Sequence, residues 1–312
     1  MVKNILVIGG AGYVGTPLCN YLVKKNFSVT CLDTFWFGNY LSKKVKKIKA
    51  DIRNLNFDKL KRYDVVINLA YLSNDPLCEI DARATWEIGP LALYKILEYC
   101  KNNKVDRFIF ASSGSIYGLK NKNISVTEKL GLDPLTDYNK SKMICEKVIE
   151  SYSSSFPFTI IRPATVCGLS KRLRLDVVLN LFTYQAFFEK KITITGGKQT
   201  RPLLDIRDMI RVYEFCIKKK INGTYNVGFE NKTISNIAEN VSEIVPCKIK
   251  KIKTNDIRSY RINSDKILNK GFIPLFSSKD SISELKEFFS KGFKPSKVNW
   301  NLNWLKKNKI IY

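Results

Sequence analysis

Residues 4–15, NILVIGGAGYVG, decide the fold of this 312-residue chain. Residues 5–8 are a short apolar run typical of a buried β-strand, and residues 17–24 have the pattern of the first turns of a helix. Four of the 16 glycines in the chain lie between them. A glycine-rich turn between a buried strand and a helix lets backbone N–H groups approach a phosphate, where the helix dipole adds positive charge. The motif favours a dinucleotide site over a tight turn that holds no ligand.

The rest of the first half alternates strand and helix patterns. Short β-branched or aromatic runs bounded by turn residues predict strands over residues 4–8, 28–32, 47–50, 65–69, 107–112 and 158–162. Helical stretches lie between them, above all residues 84–101 and 138–153. Strands that alternate with helices form a parallel sheet with helices on both faces. The predicted fold class is therefore α/β, with a doubly wound parallel sheet.

After Pro163 the pattern is less regular. It predicts helices over residues 172–189 and 208–218 and short strands over residues 192–195 and 224–227. The basic, aromatic C-terminal stretch NWNLNWLKKNKIIY is expected to dock onto the fold.

The change of pattern predicts two domains. We expect a nucleotide-binding sheet domain over residues 1–165 and a smaller α/β substrate domain over residues 166–312. Part of residues 204–222 is expected to pack back on the first domain.

The composition excludes several kinds of site. The chain has no histidine, which removes every His-based catalytic triad and most zinc sites, and no metal is expected. Its eight cysteines stand singly and are expected to be reduced core thiols, as in a cytoplasmic enzyme. No apolar run reaches the roughly 18 residues of a membrane span. The N-terminus enters a strand directly, so we expect neither a signal peptide nor a membrane partner.

The net charge of +25 raises the question of a nucleic-acid partner. The lysines are spread along the whole chain, and the longest cluster is KKVKKIK at residues 43–49. The aromatic residues do not alternate with the basic ones as a base-stacking surface requires. A lysine-rich solvated surface is therefore favoured over nucleic-acid binding, and it would attract an anionic substrate such as a nucleotide diphosphate.

Polar residues follow the predicted strands at their carboxyl ends. Asp33 ends the second strand, where an acid about 20 residues after the glycine turn hydrogen-bonds a ribose diol. A carboxylate there repels a 2′-phosphate, so it favours NAD over NADP. Asp51 and Ile52 follow the third strand, and INLAYLS at residues 67–73 covers the end of the fourth. This edge is where a doubly wound sheet binds ligands.

A candidate reaction centre lies in FIFASSGSIYG (residues 108–118) and YNKSK (residues 138–142). Tyr138 and Lys142 share one face of a helical stretch, and an ammonium beside a phenol lowers the pKa of the phenol. The Ser113 hydroxyl can hydrogen-bond the same substrate oxygen. This is an acid–base device that moves a proton while a hydride moves to or from the cofactor. A helical surface pair is the alternative, which the glycine turn, the strand-two acid and the serine-rich strand end disfavour.

These motifs resemble the extended short-chain dehydrogenase/reductases of the nucleotide-sugar epimerase/dehydratase family. GGAGYVG matches GxxGxxG through Gly9, Gly12 and Gly15. RPATVCG, QTRPLLDIRD and NDIRSYRIN resemble later landmarks, so the similarity covers nearly the whole chain. The resemblance implies a Rossmann fold with bound NAD, a smaller C-terminal domain that holds the nucleotide, and a homodimer built on a four-helix bundle.

The resemblance also implies the residues of the site. The catalytic set is Ser113, Tyr138 and Lys142. The cofactor contacts are Gly9, Gly12, Tyr13, Val14, Gly15, Asp33, Asp51, Ile52, Leu69, Ala70, Tyr138 and Lys142. The substrate contacts are Ser73, Asn74, Ser113, Ser115, Thr165, Asn180, Arg201 and Arg258. The two arginines would hold the diphosphate through their planar forks of donors.

Departures from the family pattern narrow the expected reaction. Family 4,6-dehydratases carry an Asp–Glu pair directly after the catalytic Ser/Thr, where this chain has Gly114 and Ser115. The acid and base for loss of water across C5 and C6 are therefore missing. The family's 3,5-epimerase/reductases need a histidine, which this chain does not have. What remains is oxidation or reduction at one carbon, most often C4. Gly89, followed by Pro90, stands where the family has a helix asparagine, and Thr165 replaces an asparagine of the nucleotide-facing loop.

Two classes of function are open. The favoured one is an NAD-dependent 4-epimerase or 4-dehydrogenase of a GDP- or UDP-linked sugar, with a 4-keto-sugar reductase as a variant. NDPLCEID (residues 74–81) and GLSKRLRLDVVLNLFTYQA (residues 168–186) resemble nucleotide-sugar 4-dehydrogenases of bacterial surface-polysaccharide pathways, including those acting on GDP-heptoses. The other class is a non-catalytic NAD-binding regulator or RNA-associated protein. Such relatives usually lack the Tyr or the Lys, and both are present here.

Overall fold

The computed structural model of the chain describes residues 4–73, 75–118, 124–253 and 259–308. The strands of these ranges are β1 (Asn4–Ile8), β2 (Ser28–Asp33), β3 (Lys46–Lys49), β4 (Val65–Asn68), β5 (Arg107–Ala111), β6 (Ser125–Val126), β7 (Phe158–Pro163), β8 (Thr165–Cys167), β9 (Lys191–Thr195), β10 (Thr200–Asp205), β11 (Gly223–Val227), β12 (Glu230–Thr233), β13 (Lys248–Ile252) and β14 (Arg261–Ile262). The helices are α1 (Gly15–Lys24), α2 (Asp75–Cys78), α3 (Ala82–Trp86), α4 (Ala92–Asn102), α5 (Asp137–Ser151), α6 (Val178–Tyr184), α7 (Ile206–Lys219), α8 (Ile234–Ile244), α9 (Asp265–Leu268), α10 (Ser278–Ser290) and α11 (Asn301–Asn308).

A seven-stranded sheet in the order β11-β7-β5-β4-β1-β2-β3 forms the centre of the fold, and all of its strand pairs are parallel. The predicted doubly wound α/β fold is confirmed. In β1, Ile5 and Val7 join the core on one face, with α1 and α7. Leu6 and Ile8 join the core on the other face, with α4 and α5. A strand buried on both faces needs a continuous apolar run, which is why the pattern identified it.

The arrangement around β1 creates a crevice that can hold a ligand. β1 pairs with β2 on one side and with β4 on the other, so the strand order reverses direction here. In open α/β sheets, ligands bind in the crevice at the carboxyl ends of the strands beside such a reversal. The glycine turn follows β1 directly, and Gly9 N donates to Leu32 O at 2.8 Å, which holds the turn in this crevice.

The second half of the chain contributes to the main sheet and also forms smaller sheets. β11 is the edge strand beside β7, and α7 places Met209 and Tyr213 in the core that contains Ile5. β8, β10 and β12 form a three-stranded sheet, while β9 pairs with β13 and β6 pairs with β14. The division of the chain into domains over residues 1–165 and 166–312 stays a prediction.

One helix begins later than the sequence pattern predicts. Residues 172–177 are not helical, and α6 begins at Val178 and continues as a π-helical stretch, Gln185–Glu189. Leu175 N donates to Asn299 O at 2.8 Å, and Arg174 Nε donates to Asp176 Oδ1 at 2.6 Å. Side chains two residues apart do not face each other on a helix. These contacts therefore hold the segment out of the helical conformation.

The helix predicted over residues 84–101 is interrupted. It starts as α3 at Ala82, passes through the π-helical stretch Glu87–Leu91 and continues as α4 to Asn102. Pro90 has no N–H to donate, and Gly89 has a non-helical ψ of −108°. The interruption brings Gly89 against Tyr71, which follows β4.

The cysteines are mostly buried, as expected of core residues, and the described part of the C-terminal stretch docks onto the fold. All eight cysteines are free thiols, seven of them buried. Leu302 and Trp304 pack against the core that contains Leu6, and Trp304 Nε1 donates to Trp36 O at 2.9 Å. Within the described ranges, no helix is both long enough and apolar enough to cross a membrane.

Candidate active site

The turn between β1 and α1 is so tight that a side chain would not fit at two of its glycine positions. Gly9 has a positive φ of 78°, and a Cβ there would lie 2.5 Å from Ala70 N. A Cβ at Gly15 would lie 2.4 Å from Gly9 O. At Gly12 a Cβ would meet, among the described residues, Gly9 O alone, at 3.3 Å. A turn of this shape needs Gly9 and Gly15 with or without a ligand, whereas the open side at Gly12 is what an approaching phosphate needs.

The amino end of α1 has no side-chain cap. The cap residue Val14 makes no side-chain hydrogen bond to the N–H groups of the first turn. Helix N-termini leave N–H groups without intrahelical partners, and the helix dipole favours an anion at that point. The turn therefore offers both donors and partial positive charge to a diphosphate.

Asp33, the last residue of β2, lines the same cavity as the glycine turn. Its Oδ2 accepts from Ala11 N at 2.9 Å, and its Oδ1 accepts from Phe35 N at 2.8 Å. Burial raises the pKa of the carboxyl, and the backbone donors oppose that rise. Two N–H groups thus hold the carboxylate at the cavity wall.

Asp51 and Ile52 line this cavity after β3. Arg53 Nη2 donates to Asp51 Oδ2 at 2.7 Å. Burial acts to raise the pKa of Asp51, but the hydrogen bonds from Arg53 outweigh it, and the pKa is lowered. Asp51 is therefore held as a carboxylate by its own neighbour.

Two cavities join into one cleft along the carboxyl edge of the main sheet. They adjoin each other, since both are lined by Tyr13, Val14, Leu69, Tyr71, Ser73 and Arg174. Of the predicted residues, the first cavity contains Gly9, Gly12, Tyr13, Val14, Gly15, Asp33, Asp51, Ile52, Leu69 and Ala70. The second cavity, of about 480 Å³, contains Ser113, Ser115, Tyr138, Lys142, Thr165 and Arg201.

The candidate reaction centre lies where β5 ends and α5 begins. Ser113 Oγ and Ser115 Oγ are 2.8 Å apart, and Ser115 Oγ donates to Asn139 Oδ1 at 2.5 Å. Ser113 and Tyr138 both line the second cavity, and the Ser113 hydroxyl acts to lower the pKa of the Tyr138 phenol. The structure thus brings the strand-end serine and the helix tyrosine together.

The electrostatics of Tyr138 differ from the expectation. Burial raises the pKa of its hydroxyl, and the hydrogen bond from Ser113 only partly opposes the rise. Lys142 Nζ lies 6.0 Å from the centre of the Tyr138 ring and donates to Ala111 O at 2.6 Å. Burial lowers the pKa of Lys142 to about 8. The pKa of the phenol is therefore raised although Lys142 is near, and a positively charged group bound beside the ring would lower it.

Tyr71 contacts Lys142 and was not singled out by the sequence. Lys142 Nζ lies 3.5 Å from the centre of the Tyr71 ring, and Tyr71 Oη donates to Ser141 Oγ at 2.5 Å. A Cβ at Gly89 would lie 2.6 Å from Tyr71 Oη. Gly89 thus leaves the space that Tyr71 fills. Gly89, which stands where the family pattern has an asparagine, was the signal in the sequence that could have pointed to this position of Tyr71.

A buried ion pair supports the candidate reaction centre from behind. Arg162 on β7 donates through Nη2 to Glu146 Oε2 at 2.5 Å and through Nε to Glu146 Oε1 at 3.0 Å. Ser112 Oγ also donates to Glu146. Glu146 lies one turn after Lys142 on α5, and Ser112 directly precedes Ser113. The pair therefore connects the helix and the strand that carry the candidate reactive side chains.

The remaining predicted substrate residues are placed differently. Ser73 lines both cavities, and its Oγ accepts from Arg174 Nη1 at 2.9 Å. Asn180 is fully buried on α6, where its Nδ2 donates to Arg174 O at 2.8 Å, and it is not among the residues lining the two cavities. It holds the cleft wall, and its contact with substrate stays a prediction. Asn74 and Arg258 lie outside the described residues.

Several residues that line the cleft were not among the predicted site residues. They are Trp36, Phe37, Tyr71, Asp75, Arg172, Arg174, Asp176, Tyr260 and Asn301. Tertiary folding brings them to the cleft from segments far apart in the chain. In the part of the chain that the structure describes, no group of three or more His, Cys, Asp or Glu side chains could hold a metal ion.

Comparisons with known proteins identify the family. The model of the NAD dependent epimerase/dehydratase family matches residues 5–228. The chain is 32% identical over 245 residues to an uncharacterized UDP-glucose epimerase, YtcB, of Bacillus subtilis (strain 168), covering 72% of this chain and 76% of that protein. It is 30% identical over 269 residues to a dTDP-D-glucose 4,6-dehydratase of Dictyostelium discoideum, covering 76% and 60% of the two proteins. The UDP-glucuronic acid 4-epimerase from Bacillus cereus, in complex with UDP-glucuronic acid and NAD, matches with a TM-score of 0.84 at 26% identity, covering 93% of this chain and 100% of that one.

The fold and the cleft define a dinucleotide-binding protein of the doubly wound class. The chain belongs to the NAD-dependent epimerase/dehydratase family. The resemblance and the choice of NAD as cofactor are thereby confirmed at the level of the family. The residues present fit this cofactor, since the uncapped α1 and the open side of Gly12 suit a diphosphate and Asp33 suits a ribose diol.

Replacing Asp33 by Asn should narrow the preference for NAD over NADP, because the carboxylate is predicted both to bind the ribose diol and to repel a 2′-phosphate. The dissociation constant for NADP divided by that for NAD, both measured by titration, should fall about 10-fold or more. Asp58→Asn, in an exposed turn, is the matched control and should leave the ratio unchanged. Equal affinities for NAD and NADP in the wild-type protein would contradict the role given to Asp33.

Proposed function

We propose that the protein catalyses NAD-dependent oxidation and reduction at C4 of a nucleotide-diphosphate sugar. The observation that carries this proposal is the single cleft, in which the glycine turn and Asp33 line one end and Ser113 and Tyr138 line the other. A hydride transfer coupled to a proton transfer needs a cofactor site and an acid–base group in one continuous space.

The residues of the candidate reaction centre divide the proton chemistry between them. When bound, NAD supplies the hydride acceptor and a positively charged ring. Tyr138 Oη takes the proton of the C4 hydroxyl and returns it in the reverse direction. Ser113, which lines the second cavity with Tyr138, holds the same substrate oxygen. Lys142 is mainly protonated below its pKa of about 8, and its charge stabilises the phenolate.

The space behind Ser113 supports reaction at C4 without loss of water. A Cβ at Gly114 would lie 2.5 Å from Ile262 Cδ1 and 3.1 Å from Pro163 O. The next hydroxyl, of Ser115, is already hydrogen-bonded to Asn139. With Gly114 and Ser115 at these two positions, no carboxyl group follows Ser113 directly, so the chain lacks the acid and base that the resemblance assigns to a 4,6-dehydratase.

The second cavity supports a nucleotide diphosphate as the group that carries the sugar. Arg201 on β10 and Thr165 on β8 lie on paired strands that line it. We assign Arg201 to the diphosphate of a UDP- or GDP-linked sugar, since a guanidinium can donate two parallel hydrogen bonds to phosphate oxygens. The net charge of +25 also favours anionic ligands in general.

The proposed setting is a cytoplasmic homodimer that supplies sugars for bacterial surface polysaccharides. Leu91, Tyr94 and Ile144, at α4 and α5, are apolar side chains with 61%, 55% and 37% of their surface exposed. These are the helices on which the resemblance implies a four-helix bundle between subunits. The free thiols fit a reducing compartment. The pathway rests on the resemblance of residues 74–81 and 168–186 to 4-dehydrogenases.

The test is a panel of UDP-, GDP-, CDP- and dTDP-sugars incubated with the protein and followed by NMR and by NADH absorbance. A C4 epimer without accumulated NADH defines a 4-epimerase, and a keto sugar with NADH defines a 4-dehydrogenase. Consumption of NADH with a keto sugar defines the reductase variant. Release of NAD(H) from denatured protein without turnover of any sugar would favour a non-catalytic NAD-binding protein instead.

Replacing Arg201 by Ala should weaken binding of UDP or GDP about 10- to 150-fold, because a charge-assisted hydrogen bond in a half-buried site contributes about 1.5–3 kcal/mol. NAD affinity should barely change, since the proposed cofactor diphosphate lies on the glycine turn. Calorimetric titration measures both. Arg261→Ala, at an exposed position, is the matched control. Unchanged affinity for the nucleoside diphosphate would place the nucleotide site elsewhere.

A further inference from the structure

Arg172 is a buried cation whose hydrogen-bonding capacity is largely unused. The residue is only 3% exposed. Nη2 donates to Asn301 Oδ1 at 2.6 Å, whereas Nε and Nη1 have no hydrogen-bond partner among the residues that the structure describes. Buried guanidinium groups in proteins are normally paired or fully hydrogen-bonded. A side chain that departs from this rule marks a place where a ligand can supply the partners.

The surroundings keep the Arg172 guanidinium charged and flat against an aromatic ring. Its central carbon lies 3.9 Å from the centre of the Phe37 ring, so one face of the guanidinium is covered. Burial and the neighbouring Arg174 lower its pKa to about 10, which still leaves it protonated at neutral pH. Phe37 covers one face of the guanidinium and Asn301 binds one of its nitrogens, so the group is held in place. Its Nε and Nη1 are buried without a partner among the described residues.

Arg172 lines the first cavity together with Gly12 and Asp33. The segment before it is fastened to the glycine turn, because Ser170 Oγ donates to Tyr13 O at 2.9 Å and Tyr13 Oη donates to Gly168 O at 2.7 Å. Arg172 therefore lies at the part of the cleft in which the turn and α1 present their own N–H groups.

The C-terminal helix holds Arg172 from the rim of this cavity. Asn301, the first residue of α11, accepts from Arg172 and donates its N–H to Asp176 Oδ2 at 3.1 Å. Trp304, one turn later, donates to Trp36 O. The docked C-terminal stretch thus positions the arginine over the cofactor end of the cleft.

We propose that Arg172 is a cofactor-binding residue whose guanidinium pairs with the diphosphate of bound NAD, with Asn301 holding the guanidinium in place. The 2′-phosphate of NADP is a poorer partner because Asp33 lines the same cavity and repels it. The proposal rests on NAD as the cofactor and adds a contact from the second half of the chain to those of the glycine turn.

The test compares NAD, ADP-ribose and adenosine as ligands of wild type and Arg172→Met, by calorimetric titration of protein freed of nucleotide. The variant should bind NAD and ADP-ribose about 10- to 100-fold more weakly, since each loses a charge-assisted contact to its diphosphate. Adenosine, which has no phosphate, should bind both proteins equally. Arg172→Lys keeps the charge without the planar fork and should recover only part of the loss.

A second measurement separates a binding role from a structural one. Because Arg172→Met removes unpaired buried donors, the nucleotide-free variant should melt at the wild-type temperature or above, while NAD raises its melting temperature less. Arg107→Met is the matched contrast. Arg107 is 5% exposed at the opposite end of β5 and donates to Ile221 O at 2.6 Å and Lys220 O at 2.9 Å, so its loss should lower the melting temperature.

Two results would overturn the assignment of Arg172: unchanged affinity of Arg172→Met for ADP-ribose, or an equal loss for adenosine and ADP-ribose. A melting temperature of nucleotide-free Arg172→Met as low as that of Arg107→Met would also overturn the assignment. Failure of the wild-type protein to bind NAD would instead contradict the proposed function itself, so the two failures are distinguishable.

Discussion

Tyr138→Phe is expected to lower turnover of the nucleotide sugar about 10²- to 10⁴-fold, the usual contribution of a positioned acid–base group. Tyr138 supplies a phenol hydroxyl in the second cavity, which Ser113 also lines. The ring remains, so the packing of Tyr138 against Tyr71, with ring centres 5.7 Å apart, is retained. NAD affinity should therefore stay within a few-fold of wild type.

Initial rates at saturating substrate, together with NAD titration, measure this effect. Tyr99→Phe is the matched control, since Tyr99 is also buried and loses one hydrogen bond, to Lys61 O at 2.7 Å, but lies outside the cleft. It should keep normal turnover. Ser113→Ala should cost less than Tyr138→Phe, because it removes one hydrogen bond to the reacting oxygen. Near-normal turnover of Tyr138→Phe would remove the proton-transfer role from this residue.

Glu146→Ala is expected to lower the free energy of unfolding by about 3–5 kcal/mol, because it leaves a buried guanidinium without its counter-charge. Glu146 is 1% exposed and Arg162 is 5% exposed, and Ser112 donates to the same carboxylate. Arg162 Nη1 further donates to Tyr117 Oη at 2.7 Å, so the disturbance extends into the core beneath the 3-10 turn Gly114–Tyr117. Urea denaturation measures the loss.

Glu150→Ala is the matched control on the same helix. Its partner Lys147 is 65% exposed, and an exposed pair of this kind contributes at most about 1 kcal/mol. The double variant Glu146→Leu with Arg162→Met should be more stable than Glu146→Ala, because both charges are removed together. A loss in Glu146→Ala no larger than in Glu150→Ala would show that the buried pair does not stabilise this helix.

The sequence predicted the main sheet because its elements depend on short-range pattern. The apolar run before the glycine turn is buried on both faces of β1, and Asp33 follows a strand of the same kind. Tyr138 and Lys142 lie four apart on one helix, so their common face followed from spacing alone. The local pattern wrongly predicted a helix over residues 172–177. There Leu175 N donates to Asn299 O, which lies more than a hundred positions away in the chain.

By itself, then, the sequence determined the doubly wound sheet, the glycine turn at its centre and the order in which Asp33, Ser113 and Tyr138 follow the strands. These features depend on the periodicity of buried side chains and on the backbone freedom of glycine, both of which act within a few residues. Only the tertiary structure decided that Tyr71 fills the space left by Gly89 beneath Lys142 and that Arg172 and Asn301 reach the cofactor end of the cleft. Such contacts join segments far apart in the chain, and which of them form depends on how the packed elements fill space, which no local pattern encodes.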